Sequence, residues 1–195
     1  MGRNFITQDK ISQYGSPRVE ISLFGDWDKT IRIIQKLGPS IKQASIKAQL
    51  KVCKEIQKVV KAHLRNQDLG WKQLSPEYEA KKEQKGLDHR ILMAWGTYYD
   101  SIEVWRKGNQ HMVFVGVKKG IYTRDLQGRK SRLDVATIAA IHEFSSGKKI
   151  PRRALWNPSI REIGGIKGIQ KMYLGSLTYW LRMAGVPVKQ FQRLF

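Results

Sequence analysis

From Pro39 to Arg65 apolar side chains recur at Ile41, Ala44, Ala48, Val52, Ile56 and Val59 in steps of three or four, and again at Leu64. That spacing puts one apolar stripe along a long helix opened by Pro39 or Ser40, and the stripe must be packed against something. A second pattern runs along this helix: Lys47, Lys51, Lys54, Lys58, Lys61 and Arg65 follow one another in steps of four, three, four, three and four. At about 100° per residue these six cations stay within an arc of roughly 80°. An ordinary solvated face and a polyanion-facing surface both fit. Like charges at i and i+4 repel, and solvated helices usually mix signs, so a polyanion-facing surface is the reading adopted for these six.

The whole chain leans the same way, with 36 Lys and Arg against 16 Asp and Glu and a net charge of +20. Such an imbalance points to a polyanionic neighbour or to acidic protein partners, without distinguishing them. The length of 195 residues suits one main core with appended ends. Six Trp, seven Tyr and six Phe are more than a disordered chain carries. Cys53 is the single cysteine, which excludes an internal disulfide and a cysteine-rich zinc site and fits a small core residue in a reducing cytoplasm. No apolar run approaches the roughly 20 residues of a membrane span, and the N-terminus leads into no secretory apolar segment, so a soluble, unexported protein is expected.

Three regions are expected: a mobile tail over 1–17, a main α+β domain over 18–163, and a helical extension over 164–195. In the main domain Arg18 to Phe24 alternates like a half-buried strand, and Gly25-Asp26 opens a helix that Gly38-Pro39 ends. Ser75-Pro76-Glu77 starts another helix, with Tyr78 turned to the core and Gly86 at its end. Ile91 to Tyr99 reads as a short helix. Ile102 to Trp105 and Met112 to Val117 read as a hairpin turning through Lys107-Gly108-Asn109. The basic stretch from Lys118 to Asp134 reads as an exposed arm or hairpin. Asp134 caps a helix from Val135 to Phe144, and Lys167 to Met183 forms the last one. The fold class is α+β: a long N-terminal helix and shorter helices on a small antiparallel sheet, with basic loop and terminal extensions.

Catalytic chemistry finds little support. The histidines at 63, 89, 111 and 142 have no second His or Cys at a metal-ligand spacing, and no phosphate-cradling Gly-rich loop or nucleophile elbow occurs. No catalytic, cofactor or metal residue is assigned. His142 reads as a packed helix residue or as a polar contact to a neighbouring subunit. The best nuclease candidate joins Asp68 to Glu79 and Lys81, where acids could hold Mg²⁺ beside a cation, but Glu and Lys at helical spacing are ordinary surface pairs. Ile150-Pro151-Arg152-Arg153 reads as an extended segment on a sheet edge, or as a phosphate site.

Five short segments occur in a telling order: Gly70-Trp71-Lys72-Gln73-Leu74-Ser75-Pro76-Glu77-Tyr78, Ile91-Leu92-Met93-Ala94-Trp95-Gly96, the strand carrying Val115-Gly116, Ala139-Ala140-Ile141-His142-Glu143-Phe144, and Ile150-Pro151-Arg152-Arg153. Over roughly residues 39 to 160 this order resembles the phage virion-morphogenesis family of tail-completion, or head-tail joining, neck proteins. The family's Gly after His-Glu-Phe is Ser145 here, and its Arg-Pro-Phe is Arg153-Ala154-Leu155. The resemblance implies a structural virion protein and no enzyme. It implies a ring of copies, six by family resemblance, between the head connector and the tail. Partners are then further copies of the chain, neighbouring neck or connector proteins, the tail terminator or tube, and DNA in the channel; assembly takes place in the host cytoplasm. Ring contacts are expected at Trp71, Tyr78, His142, Phe144 and Trp156 and on the arm at Arg124, Arg129 and Arg132. The competing readings are a sequence-independent nucleic-acid-binding protein and a metal-dependent nuclease.

Overall fold

The long helix α1 spans Pro39–Asn66 and buries Ile41, Ala44, Ala48, Val52, Cys53, Ile56, Val60, His63 and Leu64. This is a computed structural model that describes residues 39–186 and 188, apart from 107, 109, 110, 147–149 and 187. The expected tail, the strand over Arg18 to Phe24, the helix after Asp26 and most of the 107–109 turn lie outside the described residues. Burial falls on Val60, with Val59 only half-buried. From Ala44 onward the buried stripe advances by i+4 steps, each turning it about 40° around the axis. It therefore winds from one partner to the next along the helix.

The elements that follow are α2 (Pro76–Gln84), α3 (Thr97–Ser101), β1 (Ile102–Arg106), β2 (Val113–Val117), β3 (Tyr122–Arg124), β4 (Lys130–Asp134), α4 (Val135–Phe144), α5 (Trp156–Glu162) and α6 (Gly165–Met183). The fold is mixed α+β and mostly helical, with two separate two-stranded antiparallel sheets, β1 with β2 and β3 with β4. In the first hairpin Ile102 faces Val117 and Trp105 faces Phe114, whose rings stack at 5.9 Å. Gln49 of α1 donates to His111 O and accepts from Val113 N, while Gln57 donates to Ile102 O at 2.7 Å. These amides satisfy backbone groups of the hairpin. The second hairpin is the basic arm, turned by Asp125, which accepts from Gln127 N and Arg129 N.

Helix α6 runs antiparallel beside α1. Lys47 sits over the Trp180 ring near one end, Ser45 Oγ meets Tyr173 OH at 2.9 Å, and His63 meets Glu162 just before α6 begins. The segment separated at 164 in the sequence thus supplies Ile169, Tyr173, Leu177 and Leu181 to the same core cluster as α1. Each such side chain, fully buried, contributes about 1.5–3 kcal/mol. The sharp link from α5 into α6 needs glycine: Gly164 and Gly165 have φ of 88° and 62°, and a Cβ on Gly168 would stand 1.8 Å from Ile163 O.

Two local expectations change. Between Ile91 and Gly96 the chain forms turns, because Leu92 and Gly96 take positive φ, and the helix is confined to Thr97–Ser101. On α2 the inward residue is Lys82, and Tyr78 is 40% exposed. Lys82 Nζ donates to Arg90 O at 2.8 Å, and burial holds its pKa below the usual lysine value against the pull of Asp88 and Glu79. The cap is as expected: Ser75 Oγ accepts from Tyr78 N, with Pro76 in the first turn.

Candidate functional site

Glu143 near the end of α4 is only 3% exposed, and its carboxylate reaches across a loop to the start of α5. Oε2 accepts from Leu155 N at 2.7 Å and Trp156 N at 3.0 Å, and Oε1 accepts from Asn157 N at 3.1 Å. Leu155 offers no side-chain cap of its own, so Glu143 satisfies the first amides of α5 and complements its dipole. The described residues on either side of 147–149 are tied down as well. Arg153 N donates to His142 O, Arg152 Nε donates to Glu143 O, and Ser145 Oγ donates to Ile150 O.

Trp71 closes the junction from the other side, its Nε1 donating to Ala154 O at 2.9 Å, and Arg153 Nη2 donates to Lys72 O at 3.2 Å. Segments near residues 71, 143 and 153 therefore meet in one buried knot. Arg153 is buried and bonded to backbone, which makes it a tie and no phosphate site, and the segment after Ile150 joins no sheet edge among the described residues. Burial pulls the His142 imidazole below its ordinary value of 6.5, the Arg153 charge pushes the same way, and the Pro151 backbone bond opposes both.

Beside the knot lies an apolar groove of about 100 Å³ lined by Val115, Val117, Ala139, Phe144, Trp156 and Ile160 among others. Phe144 is 63% exposed at its rim, with Ile150 also exposed nearby in the chain. Of the residues expected to make ring contacts, Trp71 and Trp156 are 9% and 7% exposed, so they belong to the core and offer no contact surface. Tyr78 and Phe144 are on the surface. On the arm, Arg124 stands over the Trp95 ring at 5.8 Å, Arg129 pairs with Asp125 at 3.0 Å, and Arg132 is exposed. The sequence reading passed over Glu143, although an acid next to the His142 and Phe144 motif positions was the available signal.

The cation stripe keeps its geometry. Lys47, Lys51, Lys54, Lys58 and Arg65 are exposed, and Lys61 is half-buried with its Nζ 4.6 Å from the Tyr99 ring centre. None of the six appears in an ion pair among the described residues. The acids proposed for a nuclease are engaged elsewhere or scattered. Asp68 accepts from His63 Nδ1 at 2.6 Å, a bond that holds its carboxyl below the usual range. On the other side His63 Nε2 lies 2.9 Å from Glu162 Oε2, close enough for an ion pair though not aligned for a hydrogen bond. Lys81 pairs with Glu77 one turn away. Among the described residues no three His, Cys, Asp or Glu side chains group as metal ligands, and no helix is long and apolar enough to cross a membrane. Burial pushes the Cys53 thiol up to about 11, in keeping with a core residue. No family model, curated protein or solved structure matches the chain.

Proposed function

We propose that this chain is a structural protein of a phage virion, forming a ring at the neck between the head connector and the tail. The observation that carries the reading is the buried knot: Trp71, His142, Glu143 and Arg153 come from three of the five segments that carry the family resemblance, and hydrogen bonds made by these residues and their chain neighbours Lys72, Arg152, Ala154 and Leu155 tie the segments together. A motif order with a shared structural purpose is stronger support than the same letters scattered over the surface.

A ring needs two different patches that meet in head-to-tail fashion. The groove rimmed by Phe144 is one. The end of α6 offers a second, where Tyr179 and Met183 are 54% and 67% exposed and one turn apart. Exposed large apolar residues of this kind suit a protein that is covered after assembly. The test is to produce phage particles lacking this chain. Filled heads and finished tails that fail to join support the reading; joined, infectious particles refute it.

A further inference from the structure

We infer that the outer face of α1 is a sequence-independent binding surface for the phosphate backbone of nucleic acid. Between Lys47 and Arg65 every residue in the roughly 80° arc is a cation, and at 1.5 Å per residue the ridge is about 27 Å long. Among the described residues no acid pairs with it: the single acid of α1, Glu55, lies outside the arc and bridges none of the six. Between its ends the ridge broadens onto α6. There Lys51 and Lys171 flank a cleft of about 170 Å³, with Glu55 at its lip. Gly175 opens that wall, and Ser176, whose buried hydroxyl has no hydrogen-bond partner among the described residues, lines it too.

Two features favour nucleic acid over an acidic protein. The cations form a single narrow row of even spacing, which suits a regular line of phosphates. Lys47 and Lys61 each rest on an aromatic ring, Trp180 and Tyr99, which holds the row in place before any partner arrives. The arc presents no amide or carboxylate able to read a base edge, so contacts stop at the backbone and sequence is not discriminated. The inference rests on the neck reading for its occasion, since the packaged genome passes there. Its chemistry is testable on the isolated protein, so a failure here leaves the ring standing and a failure of the ring leaves this binding standing.

The experiment measures binding of the full chain to short duplexes of unrelated sequence over a range of salt. Six phosphate contacts give a log–log salt slope of about −5 and a loss of about 10³-fold in affinity between about 50 and 200 mM salt, alike for every sequence. The variant Lys51→Gln/Lys54→Gln/Lys58→Gln/Lys61→Gln should make the slope shallower by about 3.6, at nearly unchanged helix propensity. A control, Lys72→Gln/Lys81→Gln/Lys85→Gln/Lys119→Gln, removes the same net charge elsewhere and should keep the parental slope. Should the first variant lose its circular dichroism spectrum, Lys54→Gln/Lys58→Gln, whose side chains touch no ring, should still lower the slope by about 1.8. Equal slopes for ridge and control variants, no binding by the parent, or tighter binding of the parent to polyglutamate than to duplex at the same salt would each overturn the inference, the last in favour of an acidic protein partner.

Discussion

Replacing Glu143 by Gln keeps size and shape at the centre of the knot and changes only what the carboxylate does for α5. The native group accepts three backbone amides, two on Oε2 and one on Oε1. The amide of Gln can keep its oxygen toward Leu155 N and Trp156 N, but it then turns an NH₂ group toward Asn157 N, donor against donor. Leaving a buried N–H without a partner costs about 1–3 kcal/mol, and two charge-assisted bonds weaken to neutral ones. The loss of negative charge at a helix start adds a few tenths to about 1 kcal/mol. These terms overlap, so the expected loss is about 2–4 kcal/mol. For a domain of this size that lowers Tm by about 6–12 °C. Thermal unfolding followed by circular dichroism reads it directly, and Glu143→Ala should be at least as damaging. A Glu143→Gln Tm within about 2 °C of the parent would show that α5 does not depend on this carboxylate, and the knot would lose its centre.

Other perturbations separate structure from assembly. Phe144→Asp, at a residue 63% exposed, should change stability by no more than about 0.5 kcal/mol, while abolishing ring formation and head-tail joining in a particle assay. Gly168→Ala should cost about 3 kcal/mol or prevent folding, because its Cβ would stand 1.8 Å from Ile163 O, and recombinant yield with Tm measures it. His142 has a folded pKa below its ordinary 6.5, so the unfolded chain takes up the proton first. Its contribution to stability is therefore complete above 6.5 and is lost as pH falls from there toward the folded value. His142→Gln should flatten that part of the stability curve, and an NMR titration that placed the folded pKa above 6.5 would reverse the sign.

The long helix was legible because its apolar steps leave no other packed conformation, and the hairpin because Ile102 to Trp105 and Met112 to Val117 bracket a turn. The choice of Val60 over Val59 was not legible: both lie a helical step from Ile56, and only the neighbours of α1 decide between them. Tyr78 and Lys82 changed places for a similar reason. An aromatic is the natural inward guess, yet the chain from Leu87 to Arg90 supplies a carbonyl that Lys82 Nζ can reach, and a long aliphatic stem buries well beneath it. Glu143 shows the limit most clearly. Its partners are twelve to fourteen residues on, across a loop whose path no periodicity describes. The stripe of cations keeps its arrangement because a helix transmits sequence spacing straight into space. What faces those cations is a property of a second molecule.

Cryo-electron microscopy of virions assembled with this chain tests the proposed neck ring. The expected result is a closed ring of copies at the neck, between the head connector and the tail, with the Phe144 groove of each copy covered by a different surface of the next. Finding the chain only elsewhere in the particle, or at the neck as isolated copies with that groove open to solvent, would contradict it.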